Sequence, residues 1–112
     1  MADVNVVVLG GWIGSDPNVN QNQCCFFSLA NNTGYGNKRN TLWVEVKSFG
    51  KTAEFVRKWL RKGDKVTVTG KISTDTWMTF NGERKCAIEV FANEISVEYC
   101  KQMQNSKNIE AN

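Results

Sequence analysis

The hydrophobic period of this sequence changes only twice, and those two changes constrain its fold more than any motif does. Before Gly50, the apolar stretches are short and strand-like, β-branched or alternating in two-residue steps. In "KTAEFVRKWLRKG", residues 51 to 63, Phe55, Val56, Trp59 and Leu60 fall at helical spacing instead. From Lys65 the two-residue alternation returns and runs to about residue 97. The pattern predicts one short helix set among strands. Gly63 is its expected C-terminal stop, with Arg61 and Lys62 in a last turn that favours cations. Trp59 lies on the apolar stripe and reads as core.

The stranded segments are separated by turn chemistry. Residues 4 to 9 are a β-branched run halted by Gly10-Gly11, and Asp16-Pro17 marks a turn. No helix follows these glycines, so they are no dinucleotide fingerprint; they read as a bend at a barrel corner. "CCFFSLANN", residues 24 to 32, puts Cys25, Phe27 and Leu29 on one face and Cys24, Phe26, Ser28 and Ala30 on the other. "NTGYGNKRN" is a polar loop, "TLWVEVKSFGK" the third strand and "KVTVTGKI" the fourth. Asn81-Gly82 is a strong hairpin signal inside the last long stretch. Three strands, a short helix and two strands is the order of the OB-fold. An all-β, five-stranded barrel with its helix between strands three and four is therefore expected, because closure removes the edges that five strands would otherwise expose. One domain is expected over residues 1–100, with residues 101–112 a loose tail lacking periodicity.

The third strand poses the functional question. Val44 and Val46 claim one face; Trp43, Glu45, Lys47 and Phe49 share the other. The preceding loop adds Tyr35, Lys38 and Arg39, and on the fourth strand Trp77 shares a parity with Lys71, Ser73 and Asp75. Separated aromatics with interleaved cations suit single-stranded nucleic acid, whose bases stack on rings for about 1–3 kcal/mol each. Its phosphates attract Lys and Arg in a salt-dependent way. Residues 34 to 71 carry ten basic residues against three acidic ones within a net charge of +3, so the middle of the chain is basic. Lys62, at the helix end, is the flanking cation best placed to reach a phosphate. Trp12, in the first loop, has no assigned role, with the edge of the binding groove and a subunit contact both open to it, and Phe26 is similar.

Other chemistry finds little support. There is no histidine to act as a general base, and Glu45 and Asp75 have no evident substrate in a groove of Trp and Lys, so no enzyme is expected. The four cysteines form no CxxC pair, and Cys24 and Cys25 are adjacent; they read as small buried apolar residues in a reducing compartment, with no metal and no cofactor. "MADVNVVVLGG" has no basic n-region and no apolar run is long enough to span a membrane, so a cytoplasmic, nucleoid-associated protein is expected, with no membrane partner.

"NVVVLGGWIGSDPNV", "FSLAN", "LWVEVKSFGKTAEFV" and "LRKGDKVTVTGKI" together resemble the bacterial single-stranded DNA-binding protein family, from about Val4 to Val97. The resemblance implies an OB-fold homo-oligomer, a tetramer or else a dimer, that protects single strands in replication, recombination and repair. It implies stacking by Tyr35, Trp43, Phe49 and Trp77, and phosphate contacts at Lys38, Lys51, Lys62 and Lys85. Three departures stand out. Ser73, Thr74, Asp75 and Thr76 precede Trp77 where the family usually has basic residues. Val44 stands where a polar histidine often lies at the subunit contact. The sequence ends "KNIEAN" rather than in an acidic tip closing in Phe, which fits a short form such as one from a phage or other mobile element, or a core segment, and leaves recruitment of replication or repair proteins unsupported. The alternatives are a primosomal-type OB-fold module that assembles with protein partners, and an RNA-binding OB domain.

Overall fold

The computed structural model describes residues 3–19 and 23–101. Its elements are β1 (Val7–Ile13), β2 (Asn18–Val19), β3 (Cys25–Thr33), a 3₁₀ turn (Gly36–Lys38), β4 (Asn40–Ser48), α1 (Gly50–Trp59), β5 (Lys65–Met78) and β6 (Arg84–Tyr99). The sheet order is β1-β5-β6-β4-β3-β2, and an added β1–β3 pairing closes it. Five strands thus form the barrel expected from the sequence, and the two-residue β2 is a short extension on β3. Every ladder is antiparallel except β4–β6, whose Glu45, Val46 and Lys47 run parallel to Glu89, Val90 and Phe91.

The alternation explains the interior. Phe27 and Leu29 from β3, Val44 and Val46 from β4, Val66 and Val68 from β5, and Val90 from β6 all point inward and are sealed from solvent. Each such side chain stabilises the fold by roughly 1.5–3 kcal/mol relative to an exposed one. Val44 is an interior residue of the barrel itself, so the position that the resemblance places at a subunit contact is occupied here by core.

Two expectations about α1 need correction. Its inward stripe is Ala53 and Val56, continued by Leu60, with half-buried Phe55 packed against that core; Trp59 is also only half-buried but lies beneath the Lys58 ammonium, 5.4 Å from its ring. A helix of this length, laid against a curved barrel, presents a narrow stripe and leaves its flanks to solvent. The helix also ends at Trp59 rather than near Gly63. Gly63, at φ +94°, instead shapes the turn beyond, where Asp64 N donates to Arg61 O at 3.1 Å. Arg61 and Lys62 therefore lie past the helix, and the basic residues of its last turn are Arg57 and Lys58. Buried Asp64 ties this turn to the far end of β6, accepting from Arg61 N at 2.9 Å and from Lys101 N at 3.3 Å.

The cysteines also divide. Cys24, Cys25 and Cys100 are buried, but Cys86 is exposed. Burial first, and the neighbouring Cys24 second, push the Cys25 thiol above its ordinary range, while Arg57 and Arg61 pull the other way. Cys86 escapes the core because β5 and β6 run on beyond the barrel as a two-stranded arm, which ends in the turn closed by Thr79 and Glu83 around Gly82 at φ +80°. The expected tail beyond Lys101 lies outside the described residues.

Candidate nucleic-acid interface

Because paired residues in a ladder share a face, the registers assemble the outer surface of β3, β4, β6 and β5 row by row. Phe26, Lys47, Phe91 and Lys71 form one row across the four strands. The next row is Ser28, Glu45, Glu89 and Ser73. One step further along β4 stands Trp43, beside Ala30 of β3, and further along the arm Trp77 faces Lys85. Trp43, Lys47, Trp77 and Lys85 therefore share one face.

Trp43 is 61% exposed although its neighbour Val44 is buried. It lines an open groove of about 640 Å³ with Ser15, Asn18, Phe26, Leu42 and Ala87, among others. Its indole lies directly over Gly14: a Cβ built there would come within 2.6 Å of the ring. The glycine of "WIGSDP" thus makes room for the tryptophan of "LWVEV", a pairing visible only once the barrel closes.

The remaining sequence-predicted residues surround this groove unequally. Phe49 precedes α1 and stacks on Phe91, with ring centroids 6.0 Å apart and 17° between planes. Tyr35 (91% exposed), Lys38 and Arg39 stand on the β3–β4 loop, which the 3₁₀ turn shapes through Lys38 N donating to Tyr35 O. Lys51 is exposed in the first turn of α1. Lys62 is exposed beyond the helix; its backbone N–H donates to Asp16 Oδ1 at 2.8 Å, which fixes it beside the loop that borders the Trp43 groove. Lys85 pairs loosely with Glu83 at 3.5 Å, both well exposed, a contact of little energetic weight.

Lys47 differs from these. Its ammonium sits 2.8 Å from Glu89 Oε2, an oxygen with no other hydrogen-bond partner among the described residues, and 6.0 Å from the Phe91 ring. Hydrogen bonding to Glu89 holds the Lys47 pKa above its ordinary value; burial opposes this, and Glu89, Glu45 and Asp75 add Coulombic support. The platform floor is thus a buried carboxylate capped by a lysine.

Set against known proteins, residues 4–98 match the Single-strand binding protein family. The chain belongs to that family. Its members are binding proteins rather than enzymes, and single-stranded DNA is what they bind. The solved structure described as a Plasmodium falciparum SSB complex with ssDNA superimposes with a TM-score of 0.75 at 25% identity, covering 87% of this chain and 97% of that one. A mitochondrial single-stranded DNA-binding protein from S. cerevisiae, Rim1, shares the fold with a TM-score of 0.69 at 18% identity, over 88% of this chain and 99% of that one.

Sequence reasoning missed two residues of this family member's face, Phe91 and Glu89. Both could have been found by counting outward from residue 81 of the arm turn: Trp77 and Lys85 are equidistant from it, as are Ser73 and Glu89, and Lys71 and Phe91. No helix among the described residues is long and apolar enough to cross a membrane.

Proposed function

We propose that the chain coats single-stranded DNA without base specificity by stacking bases on Trp43, Phe49, Tyr35 and Trp77. Lys38, Arg39, Lys51, Lys62 and Lys85 meet the phosphates, and Lys47 orders the platform by neutralising Glu89. The observation that carries this reading is the split on β4: Val44 and Val46 are sealed inside while Trp43 stands exposed on a face it shares with Trp77 and Lys85. Every base has an apolar face, so such stacking tolerates sequence, and duplex DNA, whose faces are already stacked, binds poorly. The protein serves as a non-catalytic cytoplasmic coat on strands exposed during replication, recombination and repair.

The phosphate assignment has its own test. For single strands, the slope of log K against log salt is about −0.7 per neutralised phosphate. Lys62→Ala and Lys85→Ala are each expected to reduce that slope by about 0.7. Unchanged slopes in both variants would remove these lysines from the interface.

The same reading includes self-assembly. Val4, Val6 and Val8 alternate outward and are exposed. The Asn5 side chain extends the β1–β5 ladder by bonding Ile72 O at 2.9 Å and Ile72 N at 3.0 Å. The other edge of β1 pairs with β3 only at Trp12 and Ile13. An apolar, half-paired edge strand is a template for a second copy. A homodimer through this edge, paired again into a tetramer, is expected from sedimentation equilibrium, and Val6→Lys is expected to lower the mass. A monomeric wild-type protein at the concentrations used for DNA binding would exclude this assembly.

A further inference from the structure

The barrel carries a second aromatic and cationic row, on the side where Trp12 had no role. Register links it step by step to the first: Trp43 pairs with Ala30, Ala30 with Trp12, Trp12 with Lys65, and Lys65 with Tyr99. The row therefore passes from β4 over β3 and β1 to β5 and β6. A bulge between Lys65 and Val66 skips Glu98 and brings Tyr99 opposite Lys65. Trp12 is 43% exposed and Tyr99 41%, although neither is needed to cover the core. Only the small Ala30, itself nearly buried, separates Trp12 from Trp43.

Beside Trp12 the strands part. β1 pairs with β3 only at Trp12 and Ile13, and where the ladder ends the Asn31 side chain reaches across to Gly10 O at 2.7 Å. This seam is a groove of about 560 Å³, with Gly10 and Thr67 along one side, Trp12 and Lys65 at one end, and Asn31 and Asn32 opposite. Asn32 also lines a second groove, of about 430 Å³, with Thr33, Gly34, Thr41 and Arg39. The two grooves together lead from Lys65 to the loop that carries Tyr35. A cation stands at each end, and the polar lining between them suits a deoxyribose-phosphate chain better than an apolar protein surface. The one acid lining the seam, Glu98, accepts from Thr67 Oγ1 at 3.1 Å.

We infer that the β1–β3 seam is a second base-binding subsite: Trp12 stacks a nucleobase, Lys65 meets the adjoining phosphate, and the DNA strand that engages the Trp43 face continues there. In the free protein the Lys65 ammonium lies 5.5 Å from the Trp12 ring. Its flexible stem lets it swing to a phosphate as a base takes its place on the indole. The occupant is a continuation of the same strand because the row is continuous with the Trp43 face and because Lys65 and Arg39 complement its charge. Trp12 lies four residues from Val8 along β1, about 13 Å, so the subsite and the proposed subunit edge can coexist.

This inference rests on the proposed single-strand reading, and the test separates the two. Oligo-dT of two lengths is titrated into wild type, Trp12→Leu and Lys65→Met: one just long enough for the Trp43 face, one longer. Wild type is expected to bind the longer strand more tightly. Trp12→Leu is expected to leave short-strand affinity unchanged and to cut long-strand affinity roughly tenfold or more. Lys65→Met is expected to reduce the salt slope for the long strand only, by about 0.7. Wild-type length dependence in Trp12→Leu would overturn the inference, as would an equal loss for both lengths. So would a change in oligomeric mass in Trp12→Leu, which would make Trp12 a subunit contact. Failure of wild type to bind either length would instead overturn the parent reading.

Discussion

Replacing Trp43 with Ala is expected to weaken single-stranded DNA binding by roughly 1–3 kcal/mol, about 5- to 150-fold, while leaving the fold intact. The two effects separate because of where the side chain stands. Most of the indole is solvent-exposed, and the core beneath belongs to Val44 and Val46. An exposed substitution of this kind changes stability by only about 0.5 kcal/mol. A companion variant isolates the role of ring position. Gly14→Ala keeps the indole but places a methyl group within 2.6 Å of it, so the ring must tilt away. That variant should also bind more weakly, with its tryptophan count unchanged. Affinity is read by titration and stability by denaturant unfolding. Loss of stability in Trp43→Ala with unaltered affinity per folded molecule would show that the indole is packing and not platform.

The second large effect concerns stability. Lys47→Met is expected to cost about 3–5 kcal/mol, because it leaves a buried carboxylate without its counter-charge. The Glu89 side chain is 7% exposed, that of Lys47 24%, and the ammonium is the only partner of Oε2 among the described residues. The double variant Lys47→Met with Glu89→Leu should recover most of the loss, since an apolar pair of similar volume needs no compensation. The pair also predicts a pH dependence of definite sign. The folded-state pKa of Lys47 is raised above its ordinary value. Its contribution is therefore complete below the unfolded-state pKa of a lysine, about 10.4, and fades as pH rises through the raised folded value. Unfolding in urea at neutral and strongly alkaline pH, wild type against the double variant, measures this. An equal alkaline loss in both proteins would mean that the pair contributes nothing.

These two residues also mark what was legible in the sequence. Trp43 was legible because alternation within one strand is local: Val44 and Val46 fix which way Trp43 points, whatever the strand pairs with. The barrel was legible for a related reason, since the two changes of hydrophobic period delimit the helix and the strands on either side of it. The Lys47–Glu89 pair was not. It depends on the parallel β4–β6 register, which joins distant segments and leaves no local signature. Trp12 was opaque for the same reason, because its relation to Trp43 exists only through the short β1–β3 closure. The helix was legible in part: Val56 and Leu60 of its stripe do face the barrel, whereas Trp59 at the same spacing does not, and Ala53, too small to signal anything, does.

On this reading the exposed tryptophans meet unstacked bases. Titrating intrinsic tryptophan fluorescence with oligo-dT, at low and high salt and against a duplex of matched length, tests it most directly. Oligo-dT is expected to quench the fluorescence in a way that salt weakens without abolishing, and the duplex to give little response. No quenching by oligo-dT at low salt, or equal quenching by the duplex, would contradict it and turn this face toward a protein partner instead.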